Sequence, residues 1–116
     1  MPSGRQALGG HGEALAAGWY EQRGYEIVER NWRVAEGEID LVVRRDHVLV
    51  FCEVKTRTSD RFGTGAEAVT PAKQRRLRRL AAAYLRGSGS SSRAQTVRFD
   101  VASVTGRDVE VIEEAF

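Results

Sequence analysis

Two apolar, β-branched runs meeting at a short polar turn constrain this chain more than any other feature. They are Gly37-Glu38-Ile39-Asp40-Leu41-Val42-Val43, the turn Arg44-Arg45-Asp46-His47, and Val48-Leu49-Val50-Phe51-Cys52-Glu53-Val54-Lys55-Thr56-Arg57. Strands send alternate residues to opposite faces, so Ile39, Leu41 and Val43 are expected to share a core face with Val48, Val50, Cys52 and Val54. The other face then carries Glu38, Asp40, Val42, Leu49, Phe51, Glu53 and Lys55. A two-residue loop at Asp46-His47 pairs Asp40 directly with Glu53, their Cβ atoms roughly 5 Å apart.

Like charges set opposite each other destabilise a sheet, so a chain that accepts them gains something in return. A hard divalent cation is the simplest gain: Mg²⁺ is commonly held by one or two carboxylates, with water and phosphate oxygens completing its octahedron. Lys55 points into the same space. Of the 18 cationic residues only Lys55 and Lys73 are lysine. A compact ammonium can position or activate a water where a guanidinium stays protonated and needs more room.

Asp40 followed on the next strand by Glu53-Val54-Lys55 resembles the PD-(D/E)xK signature of restriction-endonuclease-like nucleases, with Ile39 where a proline is usually written. The wider set of Gly12-Glu13, Arg30-Asn31, Gly37 to Leu41, Glu53 to Arg57 and Arg98-Phe99-Asp100 resembles a family of small bacterial proteins, the YraN type, itself similar to archaeal Holliday-junction resolvases. The resemblance runs from about Gly9 to Val104. It implies Mg²⁺ or Mn²⁺ held by Asp40, Glu53 and the Val54 carbonyl with help from Glu13, a water oriented by Lys55, and nucleic acid, with DNA foremost, as partner. A homodimer is an open alternative, as resolvase-like proteins often pair.

A chain of 116 residues supports one domain and no second core, so residues 1–116 are read as a single unit. With 41% hydrophobic and 29% charged residues it has the balance of a globular protein. No apolar run approaches the roughly 20 residues that span a bilayer, and the N-terminus lacks a signal-peptide pattern, so a cytoplasmic location without membrane association is expected. The lone Cys52 reads as a small core hydrophobe. A net charge of +2 argues weakly for nucleic acid; the distribution of arginine argues better.

Residues 1–6 are expected to be loose, and a first helix is expected from about Gly10 to Arg23, with Gly24 as its C-terminal cap. Glu13 sits at the edge of its apolar stripe, where it either leans toward the acid pair or is solvated in the first turn. Tyr25 to Arg33 reads as an edge strand, with Tyr25, Ile27 and Trp32 inward and Arg30 and Arg33 either on phosphate or guarding the edge. The loop after β-rich residues 48–57 carries Arg61, which with Arg57 would lie near a scissile phosphate. Thr70-Pro71 starts a second helix whose buried stripe is Leu77, Leu80, Ala81, Tyr84 and Leu85. Its basic residues, Arg75, Arg76 and Arg79 foremost, are read as phosphate-backbone contacts or a solvated face. Residues 87–93 form a flexible glycine-serine link. Two strands follow, from Thr96 to Val104 and through Val109 to Ile112, with Asp100 in a structural hydrogen bond.

The order αβββαββ predicts an α/β fold, a restriction-endonuclease-like mixed β-sheet flanked by two helices. The expected activity is metal-dependent phosphodiester hydrolysis in nucleic acid, branched DNA among the substrates, with Asp40, Glu53, Lys55 and Glu13 as its catalytic residues. Two other readings stay open: a non-catalytic nucleic-acid-binding module, and a protein-interaction adaptor in which the acids and Lys55 form only a salt-bridged network.

Overall fold

In the computed structural model the elements run α1 (Gly4–Glu21), β1 (Glu26–Val34), β2 (Gly37–Arg45), β3 (Val48–Arg57), α2 (Pro71–Gly87), β4 (Thr96–Thr105) and β5 (Asp108–Ile112). The structure describes residues 4–57, 69–87 and 96–116. The strands form one sheet in the order β1-β2-β3-β4-β5. Only β3 and β4 run parallel, and α2 lies on the connection that such a pair requires. This is the mixed sheet with two helices that the element order predicts.

Helix boundaries follow local chemistry. Gly24 takes a left-handed φ of 86°, and the Tyr25 N–H donates to the Tyr20 carbonyl at 3.1 Å, closing α1 as a glycine cap should. At its other end α1 begins at Gly4, one to two turns before the apolar stripe, because each residue added to an existing helix gains a backbone bond. It therefore takes in Gly4 to Gln6, where a loose start was expected. Residues 1–3, Arg61 and the 88–93 part of the glycine-serine link lie outside the described residues. At the start of α2 the Thr70 hydroxyl accepts the Lys73 N–H at 3.2 Å, and Pro71 occupies the first helical position.

Both faces of the sheet are core. Ala16, Ala17 and Tyr20 of α1 pack on Leu41, Val43, Val50 and Cys52, while Leu77, Leu80, Ala81 and Tyr84 of α2 pack on Val42, Leu49, Phe51 and Phe99. The apolar run Val48 to Cys52 is thus sealed from two sides, as central strands beside a parallel partner usually are.

Ile39 corrects the simple alternation: it lies in the α2 layer, not with Leu41 and Val43. The break is local. The β1–β2 register passes from Arg30↔Leu41 to Trp32↔Ile39, leaving Asn31 and Asp40 facing each other without a ladder pair, and Asn31 has a left-handed φ of 51°. Trp32 follows Ile39 to the α2 side, whereas Tyr25 and Ile27 pack on the α1 side.

Asp100 has the structural role expected of it. Fully buried, it accepts the Tyr20 hydroxyl at 2.6 Å, two bonds from Arg98 at 2.9 and 3.0 Å, and the Glu114 N–H at 3.1 Å. A buried carboxylate is tolerated when paired and hydrogen-bonded in this way, and here it ties α1, β4 and the C-terminal segment together. Among the described residues no helix is long and apolar enough to cross a membrane.

Candidate functional site

The site begins where the central hairpin comes apart. From Arg45↔Val48 beside the turn, the β2–β3 ladder runs to Leu41↔Cys52 and stops. One rung further, Asp40 would stand opposite Glu53, the juxtaposition that the two-residue turn predicts. β3 continues to Arg57 on its other neighbour, β4. In the gap the Asp40 side chain replaces the missing backbone partner, its Oδ2 accepting the Val54 N–H at 2.8 Å. The N–H and C=O of one strand residue point toward the same neighbour, so the Val54 carbonyl faces this gap as well.

The electrostatics are those of crowded acid. Burial pushes the Asp40 carboxyl up to about 7, repulsion from Glu53 adds to it, and Glu13 and Glu38 raise it further against the opposing Val54 hydrogen bond. Burial likewise raises Glu13, offset in part by the Asn31 side-chain amide, which donates to its Oε2 at 2.8 Å. Lys55 Nζ lies 3.2 Å from Glu53 Oε1, both side chains partly buried. Glu38 is tied on the surface to Arg33 at 2.9 Å.

Helix α1 reaches this gap because of one glycine. A Cβ on Gly12 would collide with the Thr56 side chain, so only glycine lets the helix approach β3 this closely. The next residue, Glu13, then lines one concavity with Asn31, Asp40, Glu53 and Lys55. A second cleft shares Asp40 and Glu53 but is walled on its far side by Lys73 and Arg76 of α2.

These residues all fall inside one family match. The model of the uncharacterised protein family UPF0102 covers residues 12–104. The chain belongs to that family. UPF0102 proteins of Beutenbergia cavernae (51% identical, 86% of this chain and 83% of the relative), Anaeromyxobacter dehalogenans (49% identical, 97% and 83%) and Rhodococcus opacus (52% identical, 84% and 81%) are among its relatives. The YraN-type resemblance drawn from the motifs is met at the level of the UPF0102 family.

Within this UPF0102 chain, Asp40, Glu53, Val54, Lys55 and Glu13 converge on the splayed end of the hairpin. Arg57 ends β3 on the same alternation as Glu53 and Lys55. The basic helix, by contrast, divides. Arg76 lines the acidic cleft; Arg79 joins Arg76 and Arg86 around a separate groove; Arg75 is exposed. Arg78 turns to the opposite side, its guanidinium 4.7 Å from the Phe99 ring centroid. The Gln74 side chain donates to the Val69 carbonyl at 3.1 Å and serves the start of α2. Sequence reasoning missed two members. Asn31 enters the sequence reading only as part of a motif, and Lys73 only as the second of two lysines, with no place at the site. Among the described residues no group of three or more His, Cys, Asp or Glu is arranged to hold a metal ion by itself.

Proposed function

We propose that this protein is a metal-dependent endonuclease of the restriction-endonuclease-like type, hydrolysing phosphodiester bonds in nucleic acid, with DNA as the expected substrate. The observation that carries the reading is the meeting of Asp40, Glu53 and Lys55 at a splayed strand end, where Asp40 is pushed up to about 7 by burial and by Glu53. Two carboxylates that repel each other in a partly dry site are what a divalent cation would relieve.

The donor set fits Mg²⁺ or Mn²⁺: two carboxylates and a carbonyl are enough, since Mg²⁺ keeps several waters and takes further oxygens from substrate phosphate. When bound, such an ion would lower the pKa of a coordinated water and offset charge at the reacting phosphorus. Asp40 and Glu53 would hold it, with the Val54 carbonyl between them and Glu13 assisting from the rim. Lys55, within reach of Glu53 Oε1, would orient the attacking water or stabilise the charge developing on phosphate. Arg57, Arg61, Arg75, Arg76 and Arg79 would contribute phosphate contacts along the approach.

The 3.2 Å Lys55–Glu53 pair also favours a second reading, a nucleic-acid-binding module in which Lys55 is only a counter-ion. The test is incubation with Mg²⁺ or Mn²⁺ and branched, flapped, single-stranded and duplex DNA, and RNA. Internal cleavage that vanishes with EDTA and in Asp40→Asn supports the enzyme. Binding without cleavage of any substrate selects the module.

A further inference from the structure

Glu13, Glu38, Asp40 and Glu53 line one concavity, and their hydrogen-bond donors differ in kind. Arg33 pairs with Glu38 at 2.9 Å and Lys55 with Glu53 at 3.2 Å. Asp40 instead accepts the Val54 N–H at 2.8 Å, and Glu13 accepts the Asn31 side-chain amide at 2.8 Å. Two of the acids are thus partnered by cations and two by neutral donors. A neutral donor fixes a carboxylate without cancelling its charge.

Asn31 is the chain's only asparagine, and its position makes two demands. Its backbone is left-handed, with a φ of 51°, at the break where Asn31 and Asp40 face each other without a ladder pair. Glycine, asparagine and aspartate take that conformation at least cost. Its side chain must also donate from β1 to Glu13 on α1. Glycine has no donor to give, and aspartate is itself an acceptor whose charge would repel Glu13. Asparagine meets both demands. A left-handed backbone alone would accept glycine or aspartate as well, so the contact with Glu13 is what singles out the amide.

We infer that Asn31 is a positioning residue: its left-handed backbone aims the side-chain amide at Glu13 and holds that carboxylate, its charge uncancelled, at the rim of the Asp40–Glu53 pair for a shared divalent cation. The inference deepens the nuclease reading and rests on it for the cation. With one oxygen tied to Asn31, Glu13 needs little rearrangement to offer the other, and a ligand set in place beforehand binds more tightly than one that must first be ordered. Partners that orient a metal ligand in this way typically contribute about 10- to 100-fold to metal affinity.

A single asparagine makes the contact directly observable. Protein labelled with ¹⁵N at the asparagine side-chain amide gives one such group to follow by NMR in EDTA, and Mn²⁺ affinity is measured by calorimetry once the EDTA is removed. In the metal-free parent the amide proton facing Glu13 should lie downfield and exchange slowly, and Glu13→Ala should abolish both properties. Asn31→Gly, which keeps the left-handed backbone, should melt close to the parent yet bind Mn²⁺ about tenfold or more weakly. Glu13→Ala should weaken binding too, and adding Asn31→Gly to it should cost nothing further, because Asn31 acts through Glu13. Glu26→Gln, which removes an acid of the same strand paired with Arg44, should bind Mn²⁺ as the parent does. An amide signal indifferent to Glu13→Ala, equal Mn²⁺ affinity in the parent and Asn31→Gly, or fully additive losses in the double variant would overturn the inference. The two readings fail separately: Mn²⁺ binding that Asn31→Gly leaves untouched removes the positioning role alone, and an amide signal that answers to Glu13 in a parent that binds no Mn²⁺ removes the metal-dependent reading alone.

Discussion

The Asp40 carboxylate takes the place of a strand, its Oδ2 accepting the Val54 N–H at 2.8 Å where β2 ceases to pair with β3. One side chain thereby closes the backbone ladder and opens the gap in which Glu53 and Lys55 meet. Its position ties stability to pH. Folded Asp40 keeps its proton up to about pH 7, whereas an ordinary aspartate releases it near 3.8. Between those values the native state binds more protons than the unfolded chain, so stability falls as pH rises through the window.

In metal-free buffer the melting temperature should therefore drop from pH 5 to pH 8 by more in the parent than in Asp40→Asn. At about 1.4 kcal/mol per pKa unit the difference should reach several degrees, with raised Glu13 adding to the slope in both proteins. Glu53→Gln should shrink it as well, because Glu53 is the second cause of the shift. Equal slopes in the parent and Asp40→Asn would mean that Asp40 is ionised normally. Added Mn²⁺ should reverse the order, stabilising the parent most at pH 8 and leaving Asp40→Asn unaffected.

Gly12 sets the distance between α1 and β3. Gly12→Ala places a methyl group against the Thr56 side chain, so the helix must move outward and carry Glu13 with it. Overpacking of this kind costs about 1–3 kcal/mol. Thr56→Ala removes the obstructing hydroxyl and methyl, and the double variant should recover most of the loss in a thermal melt. Full additivity of the two losses would mean that the contact does not govern the packing.

The basic helix separates into residues that can meet phosphate and one that cannot. Arg76→Glu with Arg79→Glu should weaken nucleic-acid binding for all sequences and flatten its salt dependence, each lost contact lowering the slope by about 1. Arg78→Glu should leave that slope alone and instead lower stability, since it loses its stack on Phe99. Equal slopes in all three proteins would return the helix to a solvated face.

Much of this was legible in the chain because it is local. Alternation and the Asp46-His47 turn specify the hairpin register, Thr70-Pro71 and Gly24 mark helix ends, and the register brings Asp40 and Glu53 to the same end of the hairpin, although the ladder stops at Leu41↔Cys52, one rung short of the direct pair expected. What was not legible depends on three-dimensional placement. The face of Ile39 is decided by a left-handed Asn31 on the neighbouring strand, and no periodicity within β2 reports it. Lys73 looked like one more cation on a basic helix, because the rotation of α2 about its axis is set by how Leu77 and Leu80 seat on the sheet. The same rotation sets Arg78 over the Phe99 ring and not toward the acidic cleft.

Lys55 separates enzyme from binding module. In an enzyme it acts on the attacking water or on transition-state charge, so Lys55→Met should leave metal affinity within a few-fold of the parent while cleavage falls by roughly 10²-fold or more. Lys55→Arg should not restore cleavage: a bulkier planar cation cannot take the place beside Glu53 where a compact ammonium now lies. In a module that only binds, Lys55 is the counter-ion of Glu53. Its removal then lowers the melting temperature by leaving that acid beside Asp40 without its partner, and arginine, which can also pair with a carboxylate, recovers the loss. The two accounts thus differ in which measurement arginine rescues. Cleavage rates and melts of the parent, Met and Arg variants decide between them: a Met variant that cuts at the parent's rate removes Lys55 from catalysis, and a melt rescued by arginine with no cleavage by any variant makes it structural.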